Sequence, residues 1–510
     1  MKFTRRDIAS VDDHIELAWS RIPAGGGDFD LPDVISFADV RHYWQDYKAK
    51  LVQDIVRGSY YPGTVEIVDL PKGVLSVRPL ARMSLPDRLV YEACVFAMAP
   101  AIDAVIPRAV YSYRWWKRGR TLVPSLKTWL DMQRRGRQLH KRHSSFLLAK
   151  TDVTSFYEYI DVDILMDDLD ALDVPAWAVE TLGRFLRAFN SLNQAWGLPQ
   201  SSDASGILAN LYLLPVDNEI IRNGLRHLRY SDDIWMFGSD WLDLRKVLLN
   251  INQILRTRRL SLASNKTKIL PGSRVPDEFE DAEKDALNYG LQVAPAATLS
   301  KIRAMFDKAV GSDPVDVRDV RYSLTRLRRE DDAYAVDWLL KNLGGLPHMA
   351  RESLRYLDAF FDDFDTMGDA LVDLLVNSNL AIYPYAEQHL LSFMIRRKVK
   401  SARANSEAWR ILRDRNKESY VREFAARYLG REPAAGDGGR LRREFQKETN
   451  PRVRRALLVA CYEARQRSSS WLDIIAASGS EVALTARYLK EGPKSVPVPW
   501  IEGSRAWRRI

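Results

Sequence analysis

The chain has 510 residues, 46% hydrophobic and 28% charged, which are globular values with room for more than one domain. No run reaches the roughly 18 uncharged apolar residues of a membrane helix, and MKFTRRDIASVDDH lacks the apolar stretch of a signal peptide. The only cysteines, Cys94 and Cys461, lie too far apart in sequence to suggest a disulfide framework or a zinc site, so a reducing cytosol is the expected location. The net charge of +9 is unevenly spread: residues 1–300 hold 38 basic and 38 acidic side chains, whereas residues 391–510 hold 27 basic against 13 acidic. A basic region beside a neutral one suggests a polyanionic partner, with a solvated Arg-rich helical surface as the plainer reading.

Residues 1–60 read as helical, with an aromatic-basic patch, RHYWQDYKAKL. YPGTVEIVDLPKGVLSVRPL, from residue 61, is Val-rich and punctuated by Pro-Gly and Lys-Gly, the signature of a hairpin. Residues 86–106 are apolar at helical spacing, and a second helix is expected near 122–138. SSFLLAKTDVTSF is an apolar strand that ends at a carboxylate. Helix returns over 161–190. GLPQSSDASGILANLYLLPVDNEI reads as a loop opening into one long helix. LRYSDDIWMF alternates as a hairpin, and residues 241–258 are helical again. After about residue 295 strand signals fade. Helical segments recur at 347, 384, 418 and 450, a period that suggests stacked helical hairpins, with a plain helical bundle as the alternative. A Pro-rich stretch, GPKSVPVPW, precedes the basic SRAWRRI.

RYSDDIWMFG, residues 229–238, holds two adjacent carboxylates at the tip of its hairpin, Asp232 and Asp233. Like charges side by side repel, and each loses hydration on burial. Divalent cations offset both costs when carboxylates from different elements bridge ions roughly 3.5–4 Å apart. The second element is available in LLAKTDVTSFYEYID, which delivers Asp152 and then Phe156 and Tyr157.

With these residues in place the sequence resembles a reverse transcriptase palm. Asp152 matches the first palm motif, and GLPQSSDASGILANLYL matches the motif usually written LPQG…SP…N. Tyr230-Ser231-Asp232-Asp233 matches the YxDD hairpin, and RRLSLASNKTKIL the block ending in Lys266 and Thr267. PKGVLSVRPL resembles the fingers hairpin. SLPDRLVYEACV and YSYRWWKRGRTLVPSLKTW resemble the next two blocks of bacterial, intron-type enzymes. The blocks follow in order over about 64–270.

The resemblance implies an α+β palm-and-fingers core over 1–275, a thumb-like helical connection over 276–340, and an all-α, HEAT-like repeat domain over 341–510. It implies two Mg²⁺, with Mn²⁺ as a substitute, held by Asp152, Val153, Asp232 and Asp233. Lys72 and Arg78 would grip a triphosphate, Arg bidentately. Lys266 would donate a proton to departing pyrophosphate. Phe156 and Tyr157 would line the sugar side, where the Tyr157 ring would collide with a ribose 2′-OH. Gln200 would touch the template or incoming base.

The departures are Ser201 in place of the family's Gly, Ser202-Asp203 and Ser205-Gly206 in place of its Ser-Pro pairs, and Ala263 in place of its Asn. Glycine lets a backbone approach a base closely, so these changes point to altered or absent templating. A palm followed by helical repeats resembles the bacterial abortive-infection, phage-defence reverse transcriptases. That resemblance implies a homo-oligomer in the bacterial cytoplasm that makes protein-primed, often untemplated DNA from dNTPs, with DNA attached to the protein and RNA as a further partner. Tyr43 and Tyr47 are the priming candidates. The alternatives are a conventional RNA-templated enzyme of retron or group II intron type, a relict scaffold, and an RNA-dependent RNA polymerase.

Overall fold

The computed structural model describes residues 3–22, 27–28, 31–72, 76–192, 197–200, 202–279, 282–377 and 383–498. Ser201, the hairpin tip at 73–75 and SRAWRRI lie outside the described residues.

Helix α1 (Arg5–Ser20) opens on a Thr4 capping box and packs on α2 (Trp44–Val56) and on α3 (Leu85–Val105). Between α2 and α3 lies a two-stranded antiparallel ribbon, β1 (Glu66–Pro71) and β2 (Val77–Arg82). Helix α4 (Ser125–Arg142) then leads to β3 (Leu147–Thr151). The stretch read as helix over 161–190 is two helices, Val162–Asp170 and Ala176–Leu192, parted around Pro175. The long helix expected after GLPQ is also two, α5 (Asp203–Tyr212) and α6 (Leu214–Arg222). Pro215 explains the break, because its ring has no N–H and crowds the carbonyl of the preceding turn. Strands β4 (Arg226–Tyr230) and β5 (Asp233–Gly238) follow, then α7 (Trp241–Thr257) and β6 (Lys268–Leu270).

The central sheet is antiparallel throughout, in the order β6-β3-β5-β4. Both of its faces are covered, and side-chain alternation divides them. Ala149, Ile234 and Met236 join the large core with α3 and α5. Leu148, Trp235 and Phe237 join a smaller core with Met132 and Leu139 of α4.

After β6 the described residues form helices joined by turns and short loops. Helices α8 (Val317–Arg329), α9 (Ala350–Ala359), α10 (Pro384–Arg397), α11 (Ser419–Arg431), α12 (Pro451–Glu463) and α13 (Ala483–Lys490) pack in succession, each on the next. Met367–Asn377, Ala402–Arg413, Asp437–Lys447 and Ser469–Ala477 lie between them in sequence and flank the stack. The last four stacked helices begin close to the expected spacing, and α10 and α11 are buried along most of their length. No described helix is long and apolar enough to cross a membrane.

Much of the basic charge of this region is spent inside the protein. Arg397 pairs with Asp358, Arg413 with Glu444, Arg422 with Glu448, Lys417 with Glu387 and Arg427 with Glu463.

The stack also packs against the N-terminal half. Arg455 of α12 donates from Nη2 to Asp39 at 2.9 Å and from Nη1 to Asp33, and its Nε reaches Thr485 at 3.0 Å. A cavity of about 810 Å³ lies at this junction, lined by Tyr47, Tyr60, Arg82, Asp87, Glu423 and Arg455 among others. Burial alone would raise the Asp33 carboxyl, but the charge and hydrogen bonds of Arg455 outweigh it and hold it below the ordinary 3.8. A depressed carboxylate contributes stability above its unfolded value that is lost as pH falls through the folded one. The junction is therefore expected to weaken below pH 3.8. Thermal unfolding across pH 2–7 checks this: Asp33→Asn should be less stable than wild type at neutral pH and decline more shallowly through the acid window.

Candidate active site

Strand β3 ends beside the β4–β5 turn because Thr151 pairs with Ile234. Asp152 follows directly, and its carbonyl accepts from Ala263 N at 2.8 Å. One carboxylate oxygen, Oδ2, pairs with Lys266 Nζ, while the buried Oδ1 has no hydrogen-bond partner. Tyr230 pairs with Asp233, so Ser231 and Asp232 alone form the turn. Burial, then repulsion from Asp152 close by, pushes the Asp232 carboxyl up to about 6. Two apposed carboxylates, with one Asp152 oxygen having no partner among the described residues, suit a hard divalent cation.

Asp233 is oriented differently. Its Oδ1 accepts from Trp235 Nε1 at 2.8 Å, and burial raises its carboxyl despite the nearby Lys150. Among the described residues, no three His, Cys, Asp or Glu side chains converge as a metal cluster. The structure thus brings Asp152, Asp232 and Lys266 together and leaves Asp233 on the strand, hydrogen-bonded to its own neighbour. Val153 is buried and bridges to Leu262, which fixes the backbone beside Asp152.

The turn is held from several sides. Ser231 sits at φ 58, a left-handed conformation costly for a residue with a Cβ. Its amide donates to Ser112 Oγ at 2.7 Å, and its carbonyl accepts from Arg229 Nη1 at 3.0 Å. Arg229 is fully buried. It donates to both Asp217 oxygens, at 2.9 and 2.6 Å, and to Asn210 Oδ1 at 3.0 Å. Asn210 also donates to the Ser112 carbonyl at 2.8 Å. Burial would raise Asp217, but Arg229 and His227 hold it below its usual range.

Phe156 is buried, and Tyr157 lies in a 3₁₀ turn after Asp152. The Tyr157 hydroxyl is 3.2 Å from Ser231 Oγ and is also hydrogen-bonded to Tyr113. Two glycines make this placement possible. A Cβ on Gly197, at φ +76, would lie 2.0 Å from the Tyr157 carbonyl, and one on Gly206 would lie 2.3 Å from the Tyr113 ring. Burial raises the Tyr157 phenol well above its usual range.

The loop that would face a template is engaged internally. Gln200 Nε2 donates to Glu158 at 3.1 Å, and Asp203 pairs with Arg21 at 2.9 Å. Ser202 caps α5. Lys72 and Arg78 are exposed on the ribbon, Arg78 opposite Leu70. The priming candidates stand elsewhere. Tyr43 donates to Glu491 and lies against Arg487, and Tyr47 lines the junction cavity. Among the described residues, no hydrogen bond links either to Asp152 or Asp232.

With that geometry in place, residues 70–293 match the family model described as "Reverse transcriptase (RNA-dependent DNA polymerase)". The chain therefore carries a reverse transcriptase domain and is a nucleotidyltransferase of the RNA-directed DNA polymerase type. Among solved structures, "Structure of telomerase from Candida albicans in complexe with TWJ fragment of telomeric RNA" is similar at a TM-score of 0.31 and 10% identity, over 72% of this chain and 70% of that one. No curated protein matches the chain in sequence.

Sequence reasoning missed Ser112, Tyr113, Asn210, Asp217 and Arg229. The available signal was Arg229, a charge at a position where β4 must turn a side chain inward. Arg229→Met should cost about 3–5 kcal/mol, because the buried Asp217 carboxylate loses its guanidinium and keeps only His227 beside it. Urea unfolding reads that loss. Asp217→Asn with Arg229→Met should recover part of it.

Proposed function

We propose that this protein is a reverse transcriptase-type DNA polymerase that joins dNTPs with two Mg²⁺, without a template and from a protein hydroxyl, in bacterial anti-phage abortive infection. The observation that carries nucleotidyl transfer is the convergence of Asp152 and Asp232, with Asp152 Oδ1 having no hydrogen-bond partner among the described residues. Asp152 and Asp232 would hold Mg²⁺ there, with the Val153 backbone alongside and Asp233 as a supporting carboxylate on the strand, and the ions would supply activation of the attacking hydroxyl and offset the triphosphate charge.

The protein groups supply position. Lys72 and Arg78 take the triphosphate. Tyr157, anchored to the catalytic turn through Ser231, closes the sugar side to a 2′-hydroxyl. Lys266 stays charged, chiefly through its hydrogen bond to Asp152, and is placed to give a proton to pyrophosphate. The internal engagement of Gln200 and Asp203 supports synthesis without a template. Trp129 of α4 packs against Tyr230 next to the turn, and α4 and the segment before it also expose Trp116, Lys117, Arg118, Lys127 and Arg134, the last two paired with Asp131. Aromatic and basic groups mixed in this way suit a single DNA strand.

The helical stack is proposed to be a HEAT-like repeat, and the assembly a cytoplasmic homo-oligomer. Tyr43 and Tyr47 remain candidates for priming on sequence placement alone. Burial and the Glu491 carboxylate push the Tyr43 phenol up to about 12.

The test uses purified protein, Mg²⁺ and labelled dNTPs with no nucleic acid added, read on a denaturing protein gel. Label should run with the protein, and Asp232→Asn should abolish it. Label only after primer and RNA are supplied would establish the templated alternative. Covalent label that persists in Tyr43→Phe would exclude Tyr43 as the primer.

A further inference from the structure

The β1–β2 ribbon is divided between two bodies. Val68 and Leu80, a cross-strand pair, are buried in the core of the C-terminal helical stack. The next pair, Ile67 and Ala81, packs into the polymerase core. One face of the ribbon thus belongs to each half of the protein.

At its base the ribbon is bonded to the stack. Arg82 donates to both Glu423 oxygens, at 2.8 and 2.9 Å, and to Glu66 at 3.0 Å. Glu66 accepts from Ser419 Oγ at 2.6 Å. Arg452 Nη2 donates to the Arg82 carbonyl at 2.9 Å. Arg82 and Glu423 are almost fully buried, so little water competes with the pair. Glu66 and Arg82 are themselves cross-strand partners. Arg78 is four residues along β2 on the same face, about 13 Å away at strand rise. An isolated two-stranded ribbon is marginal in water, so its position is set by what it is bonded to.

We propose that the helical domain positions the nucleotide-gripping ribbon, with Glu423 and Ser419 as positioning residues that set dNTP affinity from outside the polymerase domain. This rests on the reading that Arg78 and Lys72 grip the triphosphate. Because Glu423 and Ser419 touch no substrate, their loss acts on KM rather than on chemistry. Any ligand or partner that shifts α11 would then change nucleotide affinity.

The experiment compares full-length wild type with Glu423→Gln, Glu423→Asp and Ser419→Ala. It measures KM for dNTP, kcat, Tm and hydrogen exchange over residues 66–82. Glu423→Gln is expected to raise KM about tenfold with kcat within about twofold. Exchange should quicken in the ribbon and not in the β3–β5 sheet, and Glu423→Asp should recover most of the affinity. Ser419→Ala should move KM the same way by a smaller factor, and it reads the contact if Glu423→Gln does not fold. Faster ribbon exchange with KM unchanged would overturn the proposal. So would a fall in kcat and Tm together with no selective change in KM. Wild type that incorporates no nucleotide, with ribbon exchange still dependent on Glu423, would instead sink the polymerase reading.

Discussion

A fully buried guanidinium, that of Arg229, underlies the catalytic turn, and the geometry of the site depends on it. A two-residue turn with a left-handed serine has a standing tendency to relax, and the carboxylates it apposes repel each other. Arg229 ties the Ser231 carbonyl to Asp217 and Asn210, and Ser112 ties the Ser231 amide to the same network. Each bond satisfies a group that burial has removed from water, so losing one partner exposes the desolvation cost of the other. The turn is held in a conformation that leaves Asp152 Oδ1 unsatisfied, and that unmet need is what a cation would meet.

The second constraint is the ribbon. A strand pair with one face on each of two cores cannot move without disturbing both. The C-terminal helices are therefore packed and bonded to the ribbon rather than appended to the polymerase domain. Their basic composition serves the same end. Arg422, Arg427 and Arg455 are held by carboxylates from neighbouring helices and, for Arg455, from the N-terminal segment. Net charge suggested a polyanionic partner along this region, yet the ion pairs show how much of that charge holds the stack together. The exposed basic and aromatic side chains beside the catalytic turn, on and before α4, are the stronger candidates for contact with a nucleic acid strand.

The palm was legible in the sequence because its signals are local. The apolar run SSFLLAKT gave one strand, and the alternation of LRYSDDIWMF gave the hairpin with its turn. The helices expected from 86, 241 and 450 begin at Leu85, Trp241 and Pro451, where the structure shows Ser84, Asp240 and Asn450 capping them. The helices read as continuous over 161–190 and after GLPQ were wrong in detail, since Pro175 and Pro215 each interrupt the backbone pattern that apolar periodicity seemed to continue. Asp232 and Asp233 both read as lying at the hairpin tip, and only pairing shows that one lies in the turn and the other on a strand, hydrogen-bonded to Trp235.

By itself the sequence determined which segments are strands and helices, the order of the palm blocks, and the residue types at the chemistry. Those properties follow from side-chain period and backbone preference over a few neighbours. Only the tertiary structure decided that Arg229 meets Asp217 beneath the turn, that Gln200 and Asp203 are spent on Glu158 and Arg21, and that Arg82 meets Glu423 at a sequence separation of 341. The reason is physical. A buried charge is stable only beside its partner, and which partner the packed core brings to it is set by the whole fold, not by the residues next to it in the chain.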